Sequence, residues 1–355
     1  MADLEKIKFL ENSYDVCGGG KKECNTDFIY DASSPRGSCP LFKTLQSNAC
    51  SYDCKYCVNS AKTRSKSMHF EPDELARTFI SFQKQYMLHG FFLSSSVIKD
   101  ADSTTEKMIE TSTLVRRRYN YQGYIHFKIL PGTSYELIKQ ASELADRLSI
   151  NIECPSKSRL SELSKVKDFK IDILRRQAWI KKLHGNQTSQ LIVGATDETD
   201  FEILKMVDWE YKAFNLKRIY YSGFKSGKGI ELKKENCNPI RQNRLYNVDF
   251  LMRKYFFKLN EIKEIMEDEM LPKEDPKLVL AKINFDGPVE VNEASYEELL
   301  RVPGIGPGSV NRIIALRESS KIKKYSQLHE IGIRVNKAKP FIKVDGMWQR
   351  RLCEF

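Results

Sequence analysis

The first ten residues contain no uninterrupted apolar run, and the chain has neither a long repeat nor a low-complexity tract. Without such a run, we expect no signal peptide and no membrane-spanning helix, and we therefore expect a cytoplasmic protein. The hydrophobic content of 41% excludes a disordered chain and is enough for a sizeable core. A length of 355 residues leaves room for one large domain and one small one.

The nine cysteines are an odd number in a chain without an export signal, which favours reduced thiols and metal chemistry over disulfides. Cys50, Cys54 and Cys57 form a C-x3-C-x2-C run. Zinc usually takes four ligands from paired knuckles, and no second knuckle is present in the sequence. Three thiolates on one loop suit a cubane iron–sulfur cluster with one iron left open. A zinc site or three unrelated buried thiols is the alternative.

Three further cysteines, Cys17, Cys24 and Cys39, precede this run, and three glycines lie between the first two. These thiols could ligate an auxiliary cluster or metal, or carry a redox role, because they lie in a loop-like region. Ordinary thiols are the alternative interpretation.

Short apolar, β-branched or aromatic runs alternate with longer helical patterns, as in repeated β/α units. This alternation predicts an α/β fold, a partial (β/α)6 barrel of TIM type. The chemistry of such barrels lies at the C-terminal ends of the strands, and the cysteine loop follows the first strand. The predicted strands are 41–46, 90–95, 123–130, 148–154, 190–193 and 217–221.

A second motif, Pro303-Gly304-Ile305-Gly306, lies between two predicted helices near the C-terminus. A degenerate copy follows, with predicted helices 325–330 and 336–342 around a hairpin at 331–334. The chain carries 58 Lys and Arg against 47 Asp and Glu, a net charge of +11, which favours a polyanionic partner. The excess is concentrated after residue 320.

The cysteine run, with the aromatic Tyr56 before the third cysteine, resembles the signature of radical S-adenosylmethionine (radical SAM) enzymes. This resemblance runs from about Lys43 to Tyr221. It implies a 4Fe–4S cluster whose open iron is chelated by the amino and carboxylate groups of S-adenosylmethionine. It also implies reductive cleavage to methionine and a 5′-deoxyadenosyl radical, with an electron donor such as flavodoxin or ferredoxin.

The same resemblance implies a cofactor pocket at three strand ends. The implied contacts are Ser94, Ser95 and Ser96 for the methionine amino group, Asn151 and Glu153 for the ribose and carboxylate, and Val193 and Gly194 for the adenine. The sequence departs from the family at the serines, where a Gly-Gly-Glu segment is usual. His126 and Lys128 share one face of the third predicted strand and are the candidate catalytic residues. A satisfied core histidine is the alternative for His126.

The Pro-Gly-Ile-Gly hairpin resembles the helix-hairpin-helix module of DNA repair and recombination proteins. Glycines let the hairpin backbone approach a phosphate, and the amides at the following helix N-terminus add a favourable dipole. A module that packs on the barrel or binds a protein is the alternative. The implied nucleic-acid contacts are Gly304, Gly306, Gly308, Arg312, Lys337 and Lys339.

Cluster, barrel and hairpins together resemble radical SAM proteins assigned to DNA modification or repair, which are typically associated with a uracil-DNA-glycosylase-like partner. The resemblance implies a radical SAM enzyme that acts on nucleic acid, with DNA as the first interpretation. A tRNA- or RNA-modifying enzyme and a non-enzymatic iron–sulfur DNA-binding redox sensor are the alternatives. The expected regions are a cysteine-containing extension (1–40), the barrel with a helical extension (41–270), a linker (271–287) and an all-α helix-hairpin-helix domain (288–355).

Overall fold

The computed structural model describes residues 4–12, 29–34, 37–64 and 66–348. Its contacts divide the chain into two compact units. The first unit holds the residues up to Glu198 together with Lys205–Gln242, and the second holds Thr199–Leu204 and the residues from Asn243 onward. The sequence predicts boundaries at residues 40, 270 and 287, whereas this division groups residues 243–270 with the hairpin region.

A seven-stranded sheet forms the centre of the first unit, with its strands side by side in chain order. The first strand pairs antiparallel with the second, and every later neighbour is parallel. The six parallel strands confirm the predicted partial barrel, and the antiparallel strand is an addition at one edge. The strands are β1 (Ile29–Ser34), β2 (Gly37–Leu45), β3 (Gly90–Ser94), β4 (Tyr124–Lys128), β5 (Arg147–Ser149), β6 (Gln187–Val193) and β7 (Arg218–Gly223).

Helices pack on one side of this sheet through a layer of aromatic rings. Phe79 stacks on Phe91 with ring centres 4.5 Å apart, and Phe42 and Phe82 meet edge to face at 5.7 Å. The helices that begin in this part of the chain are α1 (Leu4–Asn12), α2 (Pro72–Tyr86), α3 (Ala101–Thr113), α4 (Tyr135–Leu144), α5 (Lys157–Leu163), α6 (Arg175–Leu183), α7 (Asp200–Phe214) and α8 (Pro239–Tyr255). Single π-helical turns extend α3 at Leu114–Arg118 and precede α6 at Phe169–Leu174.

The predicted strand 148–154 is wrong in its extent, because β5 ends at Ser149. Glu153 has a φ of +68°, and the Cys154 amide donates to the Ile152 carbonyl at 2.9 Å. Both features interrupt the extended backbone. Pairing with β6 resumes only as an isolated bridge between Glu153 and Leu191.

The second unit has its own core of buried apolar side chains between Val291 and Val344. Ser295 caps the helix α11 (Tyr296–Arg301) with a capping box. Its hydroxyl accepts from the Glu298 amide at 3.1 Å, and the Glu298 carboxylate accepts from the Ser295 amide at 2.7 Å. The remaining elements are α9 (Leu259–Lys263), α10 (Pro276–Asn284), β8 (Val289–Glu290), α11 (Tyr296–Arg301), α12 (Pro307–Ser319), α13 (Tyr325–Glu330), α14 (Val335–Ala338) and β9 (Ile342–Lys343).

The helix predicted over 336–342 is too long. The chain forms α14 and then a 3-10 turn at Lys339–Phe341 before β9. Pro340 has no amide hydrogen and cannot continue an α-helix, which explains the early end. No helix within the described ranges is long and apolar enough to cross a membrane.

Candidate functional site

The cysteine loop leaves β2 and is fastened to the loops that follow the next two strands. The Ser51 amide donates to the Val97 carbonyl after β3 at 2.7 Å. The Tyr52 hydroxyl donates to the Pro131 carbonyl after β4 at 2.9 Å. The C-terminal ends of parallel strands meet at one edge of a sheet, so the three cysteines lie at the edge predicted for the chemistry.

Two cysteine sulfurs of this loop accept backbone hydrogen bonds. The Tyr52 amide donates to Cys50 Sγ and the Asn59 amide donates to Cys57 Sγ, both at 3.4 Å. Arg64 Nη1 donates to the Cys50 carbonyl at 2.8 Å, which fixes the start of the loop. Hydrogen bonds to sulfur stabilise ligands that carry negative charge and tune the metal centre they bind.

A buried lysine lies beside the middle cysteine. The Lys167 side chain is 6% exposed, and its Nζ donates to Tyr56 Oη at 3.0 Å and to Glu153 Oε1 at 3.2 Å. Burial opposes the charge of Lys167, but the negative charges of an ionised Cys54 and of Glu153 outweigh burial and raise the lysine pKa. Burial raises the pKa of the Cys54 thiol, and the charge of Lys167 opposes that rise. The sequence did not single out Lys167, because nothing local distinguishes it from Lys165.

The donor set of the loop fits a cubane cluster with one open iron. The loop supplies three thiols, two amides donate to their sulfurs, and one buried cation lies beside Cys54, which suits an anionic iron–sulfur cluster. Metal binding deprotonates a coordinating thiol, so the raised pKa of Cys54 is compatible with ligation. In the described part of the chain, no group of three or more His, Cys, Asp or Glu side chains is arranged to hold a single metal ion.

The three predicted serines lie at the end of β3 and beyond it. Ser94 and Ser95 are buried. The Ser94 carbonyl accepts from the Gln46 amide at 2.7 Å, and the Ser96 carbonyl accepts from Ser95 Oγ at 2.9 Å. Each carbonyl has a second lone pair, so a ligand amino group still has acceptors here. Their assignment to the cofactor stays a prediction.

The structure brings Asn151 and Glu153 together. Both residues are 6% exposed, and Asn151 Nδ2 donates to Glu153 Oε2 at 3.4 Å. Because Glu153 also pairs with Lys167, a chain of polar contacts runs from the end of β5 to the cysteine loop. These two residues are therefore placed beside the candidate cluster site, although their contact with a ribose stays a prediction.

The turn after β6 is held by a carboxylate that the sequence analysis missed. Gly194 has a φ of +83°, and its amide donates to Glu198 Oε1 at 2.6 Å. Arg241 pairs with the same carboxylate oxygen at 3.4 Å. A Cβ on Gly194 would lie 3.2 Å from the Cys237 Cβ, so this side of the glycine is closed. Val193 is fully buried. An acidic residue four positions after the glycine is the signal that could have found Glu198.

His126 and Lys128 lie on one face of β4, as predicted. His126 Nε2 lies 2.9 Å from Ser149 Oγ, and the imidazole is buried. Burial, followed by the charges of Arg147, Lys128 and Lys43, lowers the pKa of His126 well below its usual value. The imidazole is therefore neutral at physiological pH. A catalytic role for either residue stays a prediction.

Two of the three proposed auxiliary cysteines, Cys17 and Cys24, lie outside the described residues. Cys39 is on β2, in register with Ala32 of β1. It precedes the end of its strand at Leu45 by six residues, or about 20 Å along an extended chain. Burial and then Asp31 raise the pKa of its thiol. Cys39 thus lies far along β2 from the cysteine loop.

Two glycines of the first hairpin in the second unit have packing partners inside the protein. Gly304 has a φ of +84°, and a Cβ on it would lie 2.8 Å from the Arg334 carbonyl. A Cβ on Gly306 would lie 2.8 Å from Tyr255 Oη. Lys277 Nζ donates to the Ile305 carbonyl at 2.5 Å. These contacts account for both glycines without a ligand.

A second group in this unit is exposed and joins the two hairpins. A Cβ added to Gly308 or to Gly332 would lie 3.6 Å from a guanidinium nitrogen of Arg312. Arg312 Nε donates to the Ile331 carbonyl at 2.6 Å, and Nη2 donates to Ser309 Oγ at 3.2 Å. Gly308, in the first turn of α12, and Arg312 are thus the predicted phosphate contacts that the structure brings together.

Two predicted lysines of the second hairpin have partners of their own. Lys337 pairs with Asp275 at 3.7 Å, and Lys339 Nζ lies 5.5 Å from the centre of the Tyr325 ring. Both contacts are partly exposed, where such pairs contribute little stability, so both cations can be redirected to an anion.

Two family models match the chain. Residues 45–209, which include the cysteine loop and β3 to β6, match the model described as the radical SAM superfamily. This segment is similar to the radical SAM superfamily over 165 of the 355 residues. The match supports an enzyme of the radical SAM class, with a 4Fe–4S cluster and S-adenosylmethionine as its cofactors. Residues 285–339 match the model of the helix-hairpin-helix motif.

Solved structures similar to this chain include the FeFe-hydrogenase maturase HydG from Carboxydothermus hydrogenoformans, which is 12% identical. The similarity covers 59% of this chain and 50% of that chain, with a TM-score of 0.47. Streptococcus suis SuiB bound to S-adenosylmethionine is 12% identical, with 60% and 47% covered and a TM-score of 0.44. Methylornithine synthase (PylB) is 13% identical, with 55% and 56% covered and a TM-score of 0.44. The chain thus spans about half the length of these proteins. A comparison with curated proteins found no match.

Proposed function

We propose that this chain is a radical SAM enzyme whose substrate is a nucleic acid, and that the substrate is DNA. The observation that carries the proposal is the presence of a helix-hairpin-helix motif in the same chain as a radical SAM domain. Contacts of such hairpins are made to backbone phosphates and position a nucleic acid without reading its sequence. The reaction is then a modification or repair step at a nucleotide.

The cysteine loop and the residues around it hold and orient the cofactors in this proposal. Cys50, Cys54 and Cys57 are the cluster ligands, and Lys167 places a positive charge beside the middle one. When bound, the reduced cluster and S-adenosylmethionine supply hydrogen-atom abstraction by a 5′-deoxyadenosyl radical, with methionine as the other product. Asn151 and Glu153 hold the polar end of the cofactor pocket and keep one orientation through their mutual hydrogen bond.

Anaerobic turnover tests the proposal. Reconstituted protein, a reductant and S-adenosylmethionine are incubated with single-stranded DNA, duplex DNA, tRNA or no nucleic acid, and 5′-deoxyadenosine is measured. We expect DNA to stimulate its formation most, and deuterium transferred from labelled DNA would locate the abstracted hydrogen. Stronger stimulation by tRNA would replace DNA with RNA as substrate. A lack of 5′-deoxyadenosine under every condition would refute the enzyme, and cluster-dependent DNA affinity would then favour the redox sensor.

The hairpin contribution is tested at Gly308, where the first turn of α12 is exposed and its added Cβ position has no atom closer than 3.6 Å. Gly308→Asp is expected to leave the unit folded, because an acid in a first turn favours the helix. Its charge would repel a phosphate and weaken DNA binding, whereas Gly308→Ala serves as the matched control. Equal affinity of the two variants in a salt titration would remove this hairpin from DNA binding.

Partners follow from the same proposal. The chain receives its electron from a flavodoxin or ferredoxin and works in the cytoplasm. The related group of DNA modification or repair proteins adds a uracil-DNA-glycosylase-like partner. Co-purification of the tagged chain with such a glycosylase, retained after nuclease treatment, would support a direct association, and loss of the association after nuclease would contradict it.

A further inference from the structure

The two faces of the sheet in the first unit differ in chemistry. Phe42 of β2 and Phe91 of β3 pack on Phe79 of α2, with ring centres 6.0 and 4.5 Å away. These positions therefore face the helices. Side chains alternate along a strand, so the following positions, Lys43 and Phe92, lie on the opposite side, which we call the inner face.

One row of the inner face crosses four strands in register: Lys43, Phe92, His126 and Arg147. Cations and rings alternate along this row. Lys43 Nζ lies 5.7 Å from the centre of the Phe92 ring, and the Phe92 and His126 rings are 4.2 Å apart. The Arg147 guanidinium lies 5.8 Å from the centre of the Tyr124 ring, which is two positions before His126 on β4.

The next row toward the C-terminal strand ends joins Lys128, Ser149, Thr188 and Arg218 in register. The Arg218 guanidinium lies 4.9 Å from the centre of the Tyr220 ring. Four of the eight positions in the two rows are Lys or Arg, and none is Asp or Glu. All four basic residues are partly exposed. The inner face is thus a basic surface with aromatic rings between its charges.

Three of these charges lie near the buried His126, since Arg147, Lys128 and Lys43 all lower its pKa. Like charges on a partly desolvated face repel one another, and a bound anion removes that repulsion. The carboxylate of Glu153, two positions after Asn151 on the segment that follows β5, is already paired with Lys167. The inner face therefore favours a ligand that brings negative charge.

We propose that the inner face binds one nucleotide of the substrate, with its phosphate among Lys43, Lys128 and Arg147 and its base against the aromatic rings. This inference rests on the proposed function and adds a nucleotide-binding site inside the barrel. Phosphate pairs well with guanidinium and ammonium groups, and bases stack on aromatic rings without regard to sequence. A nucleotide in a duplex must be extruded or already unpaired to reach such a site.

An acidic peptide would supply carboxylates to the cations but no planar base to stack on the rings. The alternation of rings and cations matches the alternation of bases and phosphates in a single strand, which is why we assign a nucleotide. Ser149 and Thr188 lie between the two cations of the second row and are buried, so the cations and the rings are the groups that a ligand would contact.

The test uses the full-length reconstituted enzyme and a fluorescent single-stranded pentanucleotide that carries one photoreactive thio-base. Arg147→Gln and Lys128→Gln are each expected to weaken binding about tenfold, and to reduce the slope of log affinity against log salt by about one, because each removes one phosphate contact. Lys139→Gln, an exposed position on α4, is the control. Circular dichroism and cluster absorbance verify folding, and Arg147→Lys should recover part of the affinity.

Photo-crosslinks to Phe92, Tyr124 or Tyr220 support the site. Crosslinks confined to residues after 285, with unchanged affinity of both glutamine variants, would overturn it. Equal competition by polyglutamate would also overturn the nucleotide assignment in favour of a general anion site. Formation of 5′-deoxyadenosine is measured in the same samples: DNA-stimulated turnover that both glutamine variants retain refutes this inference alone, whereas turnover that no nucleic acid stimulates refutes the proposed function.

Discussion

Replacement of Lys167 by methionine isolates the charge that lies beside the cysteine loop. Methionine keeps a long unbranched side chain but removes the ammonium group that donates to Glu153 at 3.2 Å and to Tyr56 at 3.0 Å. The Glu153 side chain is only 8% exposed and would be left with the Asn151 amide at 3.4 Å. Loss of one partner from a buried ion pair destabilises a protein by about 3–5 kcal/mol.

Hydrogen exchange of the β6 amides is the appropriate assay, because a chain with two units need not unfold in one transition. β6 is buried along its whole length and bridges to Glu153 through Leu191. At about 1.4 kcal/mol per tenfold change, we expect Lys167→Met to lower protection of these amides by a factor of roughly 10² to 10⁴. Lys165→Met, at an exposed neighbouring position, should change protection little.

The double variant Lys167→Met with Glu153→Gln separates charge from packing. Removal of both charges leaves no buried ion without a partner, so protection should return most of the way to that of the parent protein. If the double variant is as weakly protected as Lys167→Met, the lysine acts through the packing of its aliphatic stem. That result would refute the electrostatic explanation, as would unchanged protection in Lys167→Met alone.

Three further predictions concern other parts of the chain. Alanine at any one of Cys50, Cys54 and Cys57 should abolish iron content and charge-transfer absorbance after reconstitution, whereas Cys39→Ala should retain both. Burial raises the pKa of Glu210 to about 8, although the hydrogen bond from Gln177 opposes this rise. The folded state therefore binds the proton more tightly, and stability should fall as the pH rises from the unfolded pKa toward 8. Glu210→Gln should flatten this pH dependence in thermal melts. Gly304→Ala should lower the free energy of unfolding of the second unit by about 1–3 kcal/mol, because the new Cβ would require a left-handed φ and would contact the Arg334 carbonyl. Gly346→Ala, with a φ of +75° and open space around its added Cβ, should have the smaller effect, and equal effects would contradict the contact with Arg334.

The sequence predicts the features that depend on local pattern. The cysteine spacing, each of the six parallel strands and the Pro-Gly-Ile-Gly hairpin depend on a few consecutive residues. Lys167 and Glu198 escaped prediction for the opposite reason: the contact of Lys167 with Tyr56 joins residues 111 positions apart, and Arg241 lies far along the chain from Glu198. The periodicity of apolar residues along the sequence does not reveal contacts between residues that are far apart in the chain. The short β5 also escaped, because alternation of side chains gives no sign of the positive φ at Glu153.

The cysteine loop is fastened to its neighbours through their main chains. The hydrogen bonds donated by Ser51 and Tyr52 are accepted by the backbone carbonyls of Val97 and Pro131. Any residue type supplies a backbone carbonyl. The side chains of the loops after β3 and β4 can therefore change without loss of the anchors that position the three cysteines. Sequence variation in these two loops is therefore compatible with an unchanged position of the cysteine loop.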